Sequence, residues 1–81
     1  MSALELIARR AARTRGIRHL TAIQALRDYI RESSDEELIK AINRITDMTV
    51  LRTLIEAGLR RPLLDAVIAR TEELIRRRTA R

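Results

Sequence analysis

The chain has 81 residues, a net charge of +6, no Cys, no Phe, no Trp and a single Tyr, which bounds it to one small domain with an aliphatic core. Without thiols it forms no disulfide or thiolate metal site, and nothing points to an oxidising compartment, so a cytoplasmic protein is expected. No apolar run approaches the ~20 residues that cross a bilayer, and no membrane partner is expected.

Every base except Lys40 is Arg, beside one Asn and one Gln, a bias that fits a hyperthermophile or a GC-rich genome and leans towards an ordered, rigid domain. Residues 1–20 hold five Arg and one acid, Glu5. That balance suits a transit peptide, but the segment also carries a helix start of its own.

In chain order, Ser2 with Glu5 forms a capping box, and Leu4, Ile7 and Ala11 follow at helical spacing. A first helix is predicted from about Ala3 to Arg15, with Gly16 as its left-handed C-cap. Thr21 with Gln24 reads as a second capping box, opening a helix whose stripe is Ile23, Leu26, Tyr29 and Ile30 and which Ser33 and Ser34 break. Ser34 with Glu37 is a third, and Asp35, Glu36 and Glu37 put negative charge where the helix dipole favours it. Leu38, Ile42 and Ile45 form the buried face of the third helix. Asp47 caps a fourth, which carries Val50, Leu51, Leu54 and Ile55 and ends at Gly58. Pro62 is the expected first residue of a fifth helix, which carries Leu63, Leu64, Val67, Ile68, Leu74 and Ile75 and frays in Arg76, Arg77 and Arg78. No strand pattern occurs, so the fold class is all-α with about five short helices.

Residues 22–46 lie over 47–71 as one 25-residue unit written twice. Leu26, Arg27, Ile30, Leu38, Ala41 and Thr46 meet Leu51, Arg52, Ile55, Leu63, Ala66 and Thr71, and Ile42 meets Val67. Such a period marks stacked helical units that cannot bury their apolar faces alone. The expected organisation is a capping helix and connection over 1–21, repeats over 22–46 and 47–71, and a basic helical extension over 72–81. Ile45-Thr46-Asp47, Val50-Leu51, Ile55, Ala66-Val67 and Arg70-Thr71-Glu72 resemble the short HEAT-like repeats in which a Leu-Thr-Asp corner opens each helix pair. Arg70 departs from that pattern, standing where Ile45 predicts an aliphatic residue. The resemblance covers about 50 of the 81 residues. It implies antiparallel helical hairpins, as an α-solenoid fragment or a compact bundle, used to hold protein partners and, in some members of the wider group, nucleic-acid backbones.

Chemistry-bearing constellations are sparse. His19 is the only histidine and has no partner near it in sequence for nucleophilic or metal chemistry, so a surface or capping role in the connection between the first two helices is expected. Three consecutive acids at a helix start lack the alternating spacing of a calcium loop. Gly16 and Gly58 are isolated and form no phosphate loop. No enzyme activity, catalytic residue, cofactor or metal is expected.

Charge carries the remaining signal. Residues 1–20 carry five Arg against Glu5, residues 21–58 five bases against seven acids, and residues 59–81 seven Arg against three acids. Two basic ends therefore flank a slightly acidic middle, and such a surface attracts phosphate backbones and anionic proteins alike. Candidate anion or nucleic-acid contacts are Arg9, Arg10, Arg13, Arg15, Arg60, Arg61, Arg76, Arg77 and Arg78. Helix C-termini already favour cations, by ~0.3 to 1 kcal/mol each, and aromatic residues that would stack on bases are missing. Arg60 and Arg61 sit at a helix N-terminus, which disfavours cations. They align with Asp35 and Glu36, which suggests an internal charge network, with an anion site as the sharper alternative.

The expected function is a non-catalytic helical module that binds a macromolecular partner, a protein or a second copy of itself; the alternative is sequence-independent DNA or RNA binding through the Arg-rich ends. Leu74 and Ile75 continue the apolar stripe with nothing in the sequence to cover them, so they are the expected self-association patch.

Overall fold

The computed structural model describes residues 2–79. Within them the chain forms five helices, α1 (Ala3–Ala12), α2 (Ile17–Glu32), α3 (Asp35–Ile42), α4 (Met48–Ala57) and α5 (Arg61–Thr79), and the described residues contain no strand. The radius of gyration, 12.4 Å, is close to the ~12 Å of a compact chain of this length. The helices are thus a bundle around one core.

Local capping explains most of the starts. The Ser2 and Ser34 hydroxyls each accept from the amide three residues on, at 3.2 Å in both cases. The Asp47 carboxylate accepts from the Thr49 amide at 2.8 Å. Each satisfies an amide that the first turn leaves without a partner. Gly58 ends α4 at φ 94°, a backbone region that glycine adopts readily and L side chains rarely do.

The start of α2 corrects the expected boundaries. Gly16 does not end α1, which stops at Ala12 with Arg13 as its C-cap; at φ 65° and ψ −139° it is the N-cap of α2. Its carbonyl accepts from the His19 and Leu20 amides, so the helix opens before Thr21. The Thr21 hydroxyl then donates to the Ile17 carbonyl inside the helix, at 3.2 Å, and caps nothing. Two boundaries of α5 also move. Arg60 precedes the helix, so Pro62 is its second residue, and the helix runs through Arg76–Arg78 to Thr79 without fraying. The Arg77–Glu73 pair at 2.7 Å spans one turn there and supports the last stretch.

The core joins Leu4, Ala8 and Ala11 of α1 to Leu26, Leu38, Leu51, Leu54, Leu63 and their neighbours. In α1 the inward set is Leu4, Ala8 and Ala11, with Ile7 only partly covered. The copies of the duplication meet corresponding helix to corresponding helix, α2 on α4 and α3 on α5. In the second copy α4 also packs on α5. In the first, α2 and α3 make at most marginal contact, and α1 lies against α2, α3 and α4 instead.

Candidate interaction surface

Basic side chains repeatedly reach carbonyls at or just beyond the C-terminal end of a helix. His19 on α2 holds α1, with Nδ1 2.9 Å from the Ala11 carbonyl. Arg27 on α2 holds α4, donating from Nε to the Ala57 carbonyl at 2.8 Å. Arg60 holds α2, donating to the Ile30 carbonyl at 3.0 Å and the Ser33 carbonyl at 2.8 Å, and pairs with Asp35 at 2.5 Å. Arg70 on α5 holds the exit of α3, donating from Nε to the Ile45 carbonyl at 2.8 Å. The last carbonyls of a helix lack partners within it and carry the negative end of its dipole, so a charge-assisted bond satisfies both needs.

Two of these contacts join positions that the duplication aligns. Asp35 pairs with Arg60, its own counterpart 25 residues on, and Ile45 accepts from its counterpart Arg70. The residue that departs from the repeat pattern is therefore a structural clamp. Arg70 is 8% exposed, and its Nη1 lies 3.3 Å from Glu73. It was legible in the sequence only as an exception.

His19 lies in the first turn of α2 and not in a loop. Its Nε2 is 2.7 Å from Glu56 at the end of α4, so the ring ties together the ends of α1 and α4. The Glu56 carboxylate, and after it the Ala11 carbonyl, raise the imidazole pKa above its usual 6.5, because both nitrogens donate only in the charged form.

The remaining candidate cations divide. The Arg60 guanidinium is committed internally, as the charge-network reading expects. Arg61 is not: it points outward, 3.6 Å from Asp65 on its own helix, and its side chain is 85% exposed. Arg9 pairs with Glu5 at 2.9 Å, while its Nε is buried without a hydrogen-bond partner. Arg10, Arg13, Arg15, Arg76 and Arg78 are exposed, and Arg77 is exposed but paired with Glu73. The first turn of α4 brings some of the two basic ends together. Arg9 and Arg13 border a hollow beside Asp47, Thr49 and Val50, and Arg77 and Arg78 border another beside Thr46 and Met48.

The largest departure from the expected apolar stripes is on α4 and α5. Ile55 is 47% exposed, Ile68 44% and Ile75 50%, whereas Leu74 packs partly against the core. The expected patch at Leu74 and Ile75 is thus displaced to one side. A shallow groove lined by Met48, Thr49, Leu51, Arg52, Ile55 and Thr71 meets the hollow of Leu74, Ile75, Arg77 and Arg78 at Met48. No carboxylate lines either part.

Among the described residues no group of three His, Asp or Glu is placed to hold a metal ion, and no helix is long and apolar enough to cross a membrane. Comparison of the chain with protein-family models, with curated proteins and with solved structures finds no match in any of the three.

Proposed function

We propose that the protein is a non-catalytic helical module that holds a protein partner on the open face of its second copy. The observation that carries this reading is the pair Ile30 and Ile55. They are equivalent in the duplication, yet Ile30 is 4% exposed and Ile55 47%. The first copy has the second packed beside it, and the corresponding side of the second copy carries a row of large aliphatic side chains. Such a row, rimmed by polar groups, is the mark of a protein contact.

The test is retention of partners from native lysate on immobilised wild type and on Ile55→Asp with Ile75→Asp. Both substitutions lie at half-exposed positions, so the fold is expected to survive. Retention by the wild type at moderate salt and its loss in the variant is the expected result. Equal retention by both would remove the reading.

A second reading is favoured by two hollows that border the start of α4, one carrying Arg9 and Arg13 and the other Arg77 and Arg78. These could follow a phosphate backbone without reading bases. A mobility shift with duplex or single-stranded probes that is strong at low salt, lost at moderate salt and unaffected by the Ile55 and Ile75 substitutions would favour it.

A further inference from the structure

The way the first copy is closed by the second predicts the chemistry that would close the second. Arg27 and Ile30 stand one turn apart on α2, and Arg27 reaches the second copy. Ile30 is buried, and Arg27 donates to the Ala57 carbonyl at the end of α4. Their equivalents Arg52 and Ile55 stand one turn apart on α4 and both line the open groove. The Arg52 side chain has no hydrogen-bond partner among the described residues. The second copy therefore presents, open, the counterparts of a residue that caps a helix end and of one that is buried in the first copy.

Charge narrows the occupant further. The groove and its extension have a floor of Met48, Leu51, Ile55, Leu74 and Ile75, with Arg52, Arg77 and Arg78 around it and no acid among the lining residues. A second copy turned onto this face about a two-fold axis would set two Arg-bearing faces, with no acid among their lining residues, against each other. Like charges facing each other oppose that pairing, whereas carboxylates on the occupant would complement it.

We propose that the groove along α4 and α5 holds an acidic amphipathic helix of a protein partner, with Arg52 capping that helix's C-terminal carbonyls as Arg27 caps those of α4. This rests on the protein-docking reading above and adds the partner's secondary structure, charge and direction. The apolar stripe of the helix lies on Met48, Ile55 and Ile75, and its acidic flank faces Arg78, Arg77 being paired with Glu73. This is the helix-in-groove mode of recognition, in which side chains one turn apart act as anchors.

The probes are three synthetic peptides of about 18 residues, roughly five helical turns. One has a Leu stripe at helical spacing with Glu elsewhere, the second has the same stripe with Lys, and the third is the Glu peptide scrambled. Binding to the full chain is followed by fluorescence anisotropy, helix gain by circular dichroism, and location by amide chemical-shift changes. The expected result is that only the Glu-stripe peptide binds, becoming helical and shifting the resonances of Met48, Arg52, Ile55 and Thr71. Ile55→Asp should abolish binding, and Arg52→Gln should weaken it by about tenfold, the scale of one charge-assisted hydrogen bond.

Equal binding of the Glu and Lys peptides would overturn the proposal while leaving the docking reading intact. So would no binding of any peptide alongside continued loss of lysate partners in the Ile55→Asp, Ile75→Asp variant. A concentration-dependent dimer in sedimentation equilibrium that Ile55→Asp dissociates would overturn it in favour of self-association. If no peptide binds and the variant retains every lysate partner, both readings fall.

Discussion

The two copies of the duplication share a pattern but differ in what surrounds it. Leu26 and Leu51, Leu38 and Leu63, and Ile42 and Val67 are equivalent pairs, and all six residues are at most 2% exposed. Beside them, Ile30 is buried and Ile55 is half open, Arg27 is bonded to a carbonyl and Arg52 is not, and a backbone carbonyl at Ile45 faces the guanidinium of Arg70. The inward positions of a helix are decided by the shared core, so they repeat. The outward positions are decided by the next helix along, and among the described residues only the first copy has one packed beside it. Identical residues thus serve as core in one copy and as an available surface in the other.

The comparison can be broken most sharply by stability. Ile30→Ala should cost about 2–4 kcal/mol, through lost burial and the cavity it leaves, and Ile55→Ala less than about 1 kcal/mol. Urea denaturation of the two variants reads this directly. Equal costs would mean that Ile55 is covered in solution and that the copies do not differ as described.

A smaller effect is expected at the position where the copies disagree chemically. Arg70→Leu restores the aliphatic residue that the repeat pattern calls for, yet it should lower stability by about 1–3 kcal/mol, because the buried Ile45 carbonyl loses its donor. An unchanged or raised Tm would show that the aliphatic residue serves as well and that the clamp contributes nothing.

Below this lies the pair Arg27→Ala and Arg52→Ala. Loss of the Arg27 bond to Ala57 should cost about 1 kcal/mol, and loss of Arg52 nothing measurable in the free protein. A comparable loss at Arg52 would reveal a partner within the chain and undo its assignment to the groove.

The smallest expected effect is on the pH profile. The folded-state pKa of His19 is raised, so its contribution is fully present below the unfolded value of about 6.5 and is lost as pH rises through the folded value. Tm should fall from about pH 5.5 to pH 8.5 by an amount that His19→Gln removes. A wild-type slope identical to that of the variant would show that the Glu56 and Ala11 contacts do not hold the charged ring.

Much of the fold was legible because its signals are local. Ser2, Ser34 and Asp47 cap helices by bonding amides two or three residues away, and Leu38 and Ile42, or Leu63 and Val67, announce a buried face by spacing alone. The same reasoning failed at Gly16, where one glycine fits both the end of a helix and the start of the next. Which role it takes depends on residues 17–20 joining α2, with His19 in that first turn bonded to α1 and to Glu56 of α4. The candidate surface was legible only in part. The runs containing Ile55 on α4 and Ile68 and Ile75 on α5 were visible as apolar, but their exposure was not, because periodicity gives the direction of a side chain and not what lies in front of it.

The sequence by itself determined that the chain is helical, where three of the five helices are capped, and that two stretches repeat, since each of these follows from interactions within a turn or from the order of residues alone. Only the tertiary structure decided that Arg27, Arg60 and Arg70 clamp the ends of other helices while Arg52 does not, and that Ile30 is core while Ile55 is surface. The physical reason is reach. A guanidinium on a long flexible stem meets whatever carbonyl the packing brings to it, and an aliphatic side chain is buried only if another element covers it. Both depend on the placement of groups 25 to 30 residues apart in the chain, which no local pattern encodes.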